Sequence, residues 1–142
     1  MKILFTLLLG LVFTTSVSSQ SLLIYGGNNH DVFLGCLNCD KYKSSSIWNE
    51  YGDNGSKYNS NCIWNEHGNY SGIYSDNSPF NKYALHPPIL VDSEGNFYGY
   101  FTADIYYSKR TTNKFALMII DDWEVIMEDV GEAYEKFQNR FI

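Results

Sequence analysis

Positive charge is scarce in this sequence: ten lysines and arginines face sixteen aspartates and glutamates among 142 residues. A partner held through its phosphates would meet repulsion over much of such a surface, so nucleic acid is not an expected partner. The same sign opposes docking on anionic lipid. Long apolar runs are missing too. The one clear run, Ile3 to Phe13, is well short of the roughly 20 residues a helix needs to cross a bilayer, and no later stretch reads as an integral membrane segment. Cysteine is limited to Cys36, Cys39 and Cys62, an odd count that leaves at least one thiol outside any intrachain pair. Catalytic signatures are absent as well. No serine stands in a G-x-S-x-G elbow. The turn at Asp92 lacks the ligand spacing and closing glutamate of an EF-hand. His30, His67 and His86 fall in three unrelated contexts. No catalytic residue, metal or cofactor is read from the sequence.

What is present begins with an export signal. Lys2 supplies a short positive region, Ile3 to Phe13 the apolar stretch, and Val17-Ser18-Ser19 a small-x-small cleavage site. Residues 1–19 therefore read as a signal peptide, with the mature protein a single domain over 20–142, secreted or periplasmic. The leader carries one of the ten basic residues and none of the sixteen acidic ones, so the mature charge is −7. Phe33-Leu34-Gly35-Cys36 lies too far past the apolar run to be a lipid-attachment box.

The middle of the chain repeats itself. Set over residues 52–67, GDNGSKYNSNCIWNEH, residues 36–51, CLNCDKYKSSSIWNEY, share eight of sixteen positions, where about one is expected by chance. Residues 68–83, GNYSGIYSDNSPFNKY, keep the frame. Every sixteen residues it returns Tyr42, Tyr58 and Tyr74; then Trp48, Trp64 and Phe80; then Asn49, Asn65 and Asn81. A fourth copy starts at Ala84 and stops at His86-Pro87-Pro88. Units so rich in Gly, Asn and Ser cannot sustain an amphipathic helix. They are expected to form very short extended pieces joined by turns, stacked so that an Asn ladder runs beside an aromatic ladder, each unit depending on its neighbours and on end caps.

The flanks are conventional. Residues 20–35 read as a hairpin, with Gly26 to Asp31 as the loop between Leu22–Tyr25 and Val32–Leu34. After the repeats at 36–88, residues 89–110 read as a second hairpin whose long second strand runs from Phe97 to Tyr107. Residues 111–142 read as one amphipathic helix capped by Thr111 or Thr112, with Phe115, Ile119, Trp123, Ile126, Val130, Tyr134, Phe137 and Phe141 on its apolar face and Gly131 as a weak point. Its many acids read as a solvated face. The expected class is α+β.

At GCLNCDKY, SIWNE and CIWNE, and HPPILVDSEGNFYGYFT, the chain resembles an uncharacterised family of exported bacterial proteins in which short Tyr/Gly/Ser/Asn repeats precede a Pro-Pro and a D-x-x-G-N-F-Y-G hairpin. The likeness spans roughly residues 33–112 and implies a grouping, with no activity to transfer. Cys62 departs from the pattern, standing where the flanking units have Ser46 and Ser78. The leader ending in Ser-Ser-Gln resembles those of Bacteroidetes-type bacteria.

Three sets of residues remain as candidates. Cys36 and Cys39 are expected to form a disulfide, which export permits. With Cys62 and His67 they also spell C-x2-C…C-x4-H, so a small secreted hydrolase or a redox or metal protein using Cys36, Cys39 and His67 is one alternative. The repeat itself accounts for Cys62 as a serine substitute and for His67 as the counterpart of Tyr51 and Tyr83. The third set is Tyr42, Tyr58 and Tyr74, aromatics on which a glycan or peptide could stack. The expected function is a non-enzymatic binding or structural module. Its other alternative is an accessory or inhibitor protein docking on another exported protein.

Overall fold

The computed structural model describes residues 20–141, so the predicted signal peptide lies outside the described residues. Strands β1 (Leu23–Gly26), β2 (Val32–Cys36), β3 (Ile89–Val91) and β4 (Phe97–Tyr100) precede helices α1 (Lys114–Glu128) and α2 (Val130–Phe141). The class is mixed α+β.

The two hairpins fuse into one antiparallel sheet of order β2-β1-β3-β4. Alternation buries Ile24, Leu34 and Leu90 from successive strands, while α1 contributes Ala116, Ile119 and Ile126 to the same core. Strand β4 is far shorter than the stretch to Tyr107. Its Gly99 sits at φ 102°, where a Cβ would lie 2.6 Å from the Thr111 Cα. Tyr100 exchanges backbone hydrogen bonds with Lys109 and Thr111. From Thr102 the chain turns instead: Thr102 Oγ1 accepts from the Asp104 N–H and Asp104 Oδ1 from the Tyr106 N–H.

Residues 37–88 form turns rather than extended pieces, with one isolated bridge pairing Cys36 and Ser46. The reason is local. Asn49, Asn65 and Asn81 each accept through Oδ1 from the N–H two residues on, at Tyr51, His67 and Tyr83 (3.0, 3.1 and 2.9 Å). Each donates its amide to a carbonyl six residues back, at Lys43, Asn59 and Ser75. Ser46, Cys62 and Ser78 likewise accept from the N–H of Trp48, Trp64 and Phe80. Donors that a sheet ladder would need are taken by side chains of the same turn. The Cys62 sulfur takes the part of the serine oxygens.

These turns hang on a column of rings. Trp48 and Trp64 have centroids 5.8 Å apart, Trp64 and Phe80 5.9 Å, and all three are buried. The Trp64 indole N–H donates to the Ile47 carbonyl at 2.6 Å, tying the second coil to the first, and that of Trp48 to the Leu37 carbonyl at 2.8 Å within the first coil. Helical rings close the column. Phe80 stacks on Trp123 of α1 at 4.8 Å and 11°, and Trp48 meets Phe115, Tyr134 and Phe137.

The expected single helix is two. Asn113, not Thr111 or Thr112, caps α1 by accepting from the Ala116 N–H. Asp129 leaves helical geometry and its Oδ1 accepts from the Glu132 N–H, so that α2 starts at Val130, one residue before Gly131. The Gly131 N–H donates to Glu50 Oε1 at 2.8 Å, so the break docks on the first coil.

Removing the Trp64 ring should therefore cost far more than removing an exposed tyrosine of the same coil. We predict a loss of about 3–5 kcal/mol for Trp64→Ala and about 2–3 kcal/mol for Trp64→Phe, which leaves the Ile47 carbonyl without its indole donor and removes volume as well. Tyr58→Ala should stay within about 0.5 kcal/mol. Urea denaturation of the three variants checks the ranking, and comparable losses for Trp64→Phe and Tyr58→Ala would refute it.

Candidate functional site

The repeat sorts its aromatics into two populations. The column rings are buried, whereas Tyr42, Tyr58 and Tyr74 are 82%, 85% and 91% exposed. Tyr51 and Tyr83, the residues after the Asn-Glu and Asn-Lys pairs, are exposed too, as is His67 between them in register. The Asn ladder spends its side chains inside the turns and so serves geometry rather than a ligand. Lysines lie beside the rings: Lys41 Nζ is 5.3 Å from the Tyr42 centroid and Lys57 Nζ 5.6 Å from that of Tyr58.

Between these turns and the helices runs a cleft. Its widest part, about 790 Å³, is walled by Lys57, Tyr58, Trp64, Asn65, Glu66 and His67 on the coil side and by Trp123, Glu124, Met127 and Glu128 of α1. A smaller part, about 180 Å³, is walled by Lys41, Tyr42, Trp48, Asn49, Glu50 and Tyr51, with Gly131 opposite. The coil-side residues of the two parts stand sixteen apart one by one, so successive coils build the same half-site. A middle part of about 370 Å³ includes Glu50 and Tyr51 of one coil with Lys57 and Tyr58 of the next.

Of the residues expected to matter, the cleft gathers Tyr42, Tyr58 and His67, whereas Tyr74 lines none of these three parts. Lys41, Lys57, Glu50 and Glu66 were not singled out, yet a signal for them existed. They are among the eight identities between the first two units, and unlike Ile47 and Ile63 or the tryptophans they are not core. Trp123 read as part of the apolar face and Glu124 and Glu128 as solvated, with no signal for the cleft, because their facing the coils depends on tertiary packing. Glu124 and Glu128 are exposed as the solvated-face reading has it, but that face borders the cleft.

The cysteine set does not converge on chemistry. Cys36 and Cys39 lie at disulfide distance, Cα atoms 5.5 Å apart, and both are buried. Cys62 is buried and free, and desolvation pushes its thiol up to about 11, the wrong direction for a nucleophile or metal-binding thiolate. His67 is instead exposed beside Glu66, at 3.3 Å. No helix among the described residues is long and apolar enough to cross a membrane. Comparison with family models, curated proteins and solved structures finds no match for this chain.

Asp92, the residue with a calcium-loop look, has its carboxylate fully engaged. Oδ1 accepts from the N–H groups of Glu94 and Asn96, and Oδ2 from the Asn96 amide and the Tyr98 hydroxyl, all at 2.9–3.0 Å. These bonds, that of the Asn96 side chain foremost, hold its pKa below the ordinary 3.8. A carboxyl with a lowered folded pKa stabilises fully above its unfolded value and loses that contribution as pH falls through the folded one. The melting temperature of Asp92→Asn should therefore lie below that of the wild type at about pH 7, with the gap closing below about pH 4. A gap independent of pH would contradict the assignment.

Proposed function

We propose that this chain is a small, exported, non-enzymatic binding module of the periplasm or cell exterior. In this reading about three and a half Gly/Asn/aromatic units stack as a rigid rack that presents Tyr42, Tyr58 and Tyr74 to a ligand. We group it with the exported bacterial proteins that carry such repeats before a Pro-Pro hairpin.

The observation that carries the reading is the exposure of those three tyrosines on turns whose next carbonyls, at Lys43, Asn59 and Ser75, are taken by the amides of Asn49, Asn65 and Asn81. A tyrosine ring brings large contact area at small entropic cost, since few of its torsions must be frozen. Turns locked by their Asn side chains and by a buried ring column reduce that cost further, because the platform is ordered before any ligand arrives. Reading the chain as an enzyme lacks comparable support: its two vicinal cysteines are paired, its third is buried, and His67 stands among exposed groups.

Arrays of peptides and of glycans, each probed with the wild type and with Tyr42→Ser/Tyr58→Ser/Tyr74→Ser, test the reading. The triple variant should melt within a few degrees of the wild type while losing its retained ligands by at least about tenfold. An unchanged binding profile in the triple variant would overturn it.

A further inference from the structure

The cleft between the coils and α1 has a charge as well as a shape. Its two larger parts bring together Glu50, Glu66, Glu124, Glu128 and Asp129 against a single lysine, Lys57. These carboxylates lie among the rings of Tyr51, Tyr58, Trp64 and Trp123. Carboxylates with aromatic faces make a surroundings that suits an ammonium or guanidinium group: the acids supply charge-assisted hydrogen bonds and the rings a negative quadrupole face. The same surface disfavours anionic polymers, and a neutral glycan would use the acids only as hydrogen-bond acceptors, with no charge to pair.

The repeat adds a spacing. Adjacent rings of the column, one from each coil, have centroids 5.8 and 5.9 Å apart. In an extended peptide, alternate side chains on one face are about 6.6–6.8 Å apart. A strand laid along the stack thus advances close to one coil for every two residues. Glu50 and Glu66 occupy matching places in the first two coils, and the third has Lys82 there. The acidic file is two coils long and then reverses sign.

Resting on the binding-module reading above, we infer that the cleft holds an extended segment of another protein bearing two basic residues at alternate positions, a cation-x-cation pattern. Each basic side chain sits over one coil, at Glu50 and Glu66, with Glu124 and Glu128 of α1 closing the far side. Lys82 excludes a third cation in the same register.

Isothermal titration with the acetylated, amidated peptide Thr-Val-Lys-Thr-Lys-Val-Thr tests this, beside its analogue with both lysines replaced by glutamine. The lysine peptide should bind at least about tenfold more tightly than the glutamine one and weaken as salt is raised. Glu66→Gln/Glu128→Gln, both exposed positions, should cut that preference at least about threefold with melting unchanged, Glu50 still holding one lysine. Lys82→Glu should improve binding of a peptide extended to three alternating lysines several-fold. Equal binding of the two peptides, or a preference undiminished in Glu66→Gln/Glu128→Gln, overturns the inference. Tyrosine-dependent binding of glycans or neutral peptides alone also overturns it while leaving the binding-module reading standing. The absence of tyrosine-dependent binding to every probe removes both.

Discussion

The packed rings of Trp48, Trp64, Phe80 and Trp123 are the interaction on which the rest of this molecule depends. A coil of sixteen residues made largely of Asn, Gly and Ser has little aliphatic surface to bury. Each of the three coils contributes one large ring, and the rings bury one another. The column then needs ends, which α1 and α2 supply through Trp123 at one end and Phe115, Tyr134 and Phe137 at the other. The helices therefore complete the column. The Glu50 bond to the Gly131 N–H anchors the break between them to the first coil.

Once the rings are fixed, the turns place everything else. Asn49, Asn65 and Asn81 bind their own backbones at both ends of the side chain, and Ser46, Cys62 and Ser78 do the same work one step earlier. Such turns leave long side chains between them with nowhere to go but outward. Tyr42, Tyr58 and Tyr74 stand in solvent for that reason, and Glu50 and Glu66 are carried to matching places along the cleft. The geometry that stabilises the rack and the geometry that repeats the half-site are one.

Much of this was legible in the residues. The sixteen-residue period, the ladders of Trp/Phe and Asn, the hairpin at Leu23–Cys36 and the apolar stripe of the C-terminal third are patterns of spacing, and spacing survives without a structure. What failed was local competition. Asn and Ser that look like turn punctuation between short strands capture the donors such strands would need, so the repeats are turns throughout. Asp129 ends α1 by capping α2, whereas Gly131 had drawn attention because glycine weakens helices. The fusion of the two hairpins through β1 and β3 joins residues more than sixty positions apart, and nothing in either hairpin announces it. For the same reason the cleft was only half visible, its coil side written in repeated Lys-Tyr and Asn-Glu pairs and its helix side set by packing.

If the ring column unites coils and helices, weakening it at one end must be felt at the other. Native-state hydrogen exchange on Trp123→Ala measures this directly, through the amides of Trp48, Trp64 and Phe80, which bond within their own coils. A single cooperative column predicts that protection at all three amides falls together, by a similar factor. Loss of protection confined to Phe80, with Trp48 and Trp64 unchanged, would contradict it.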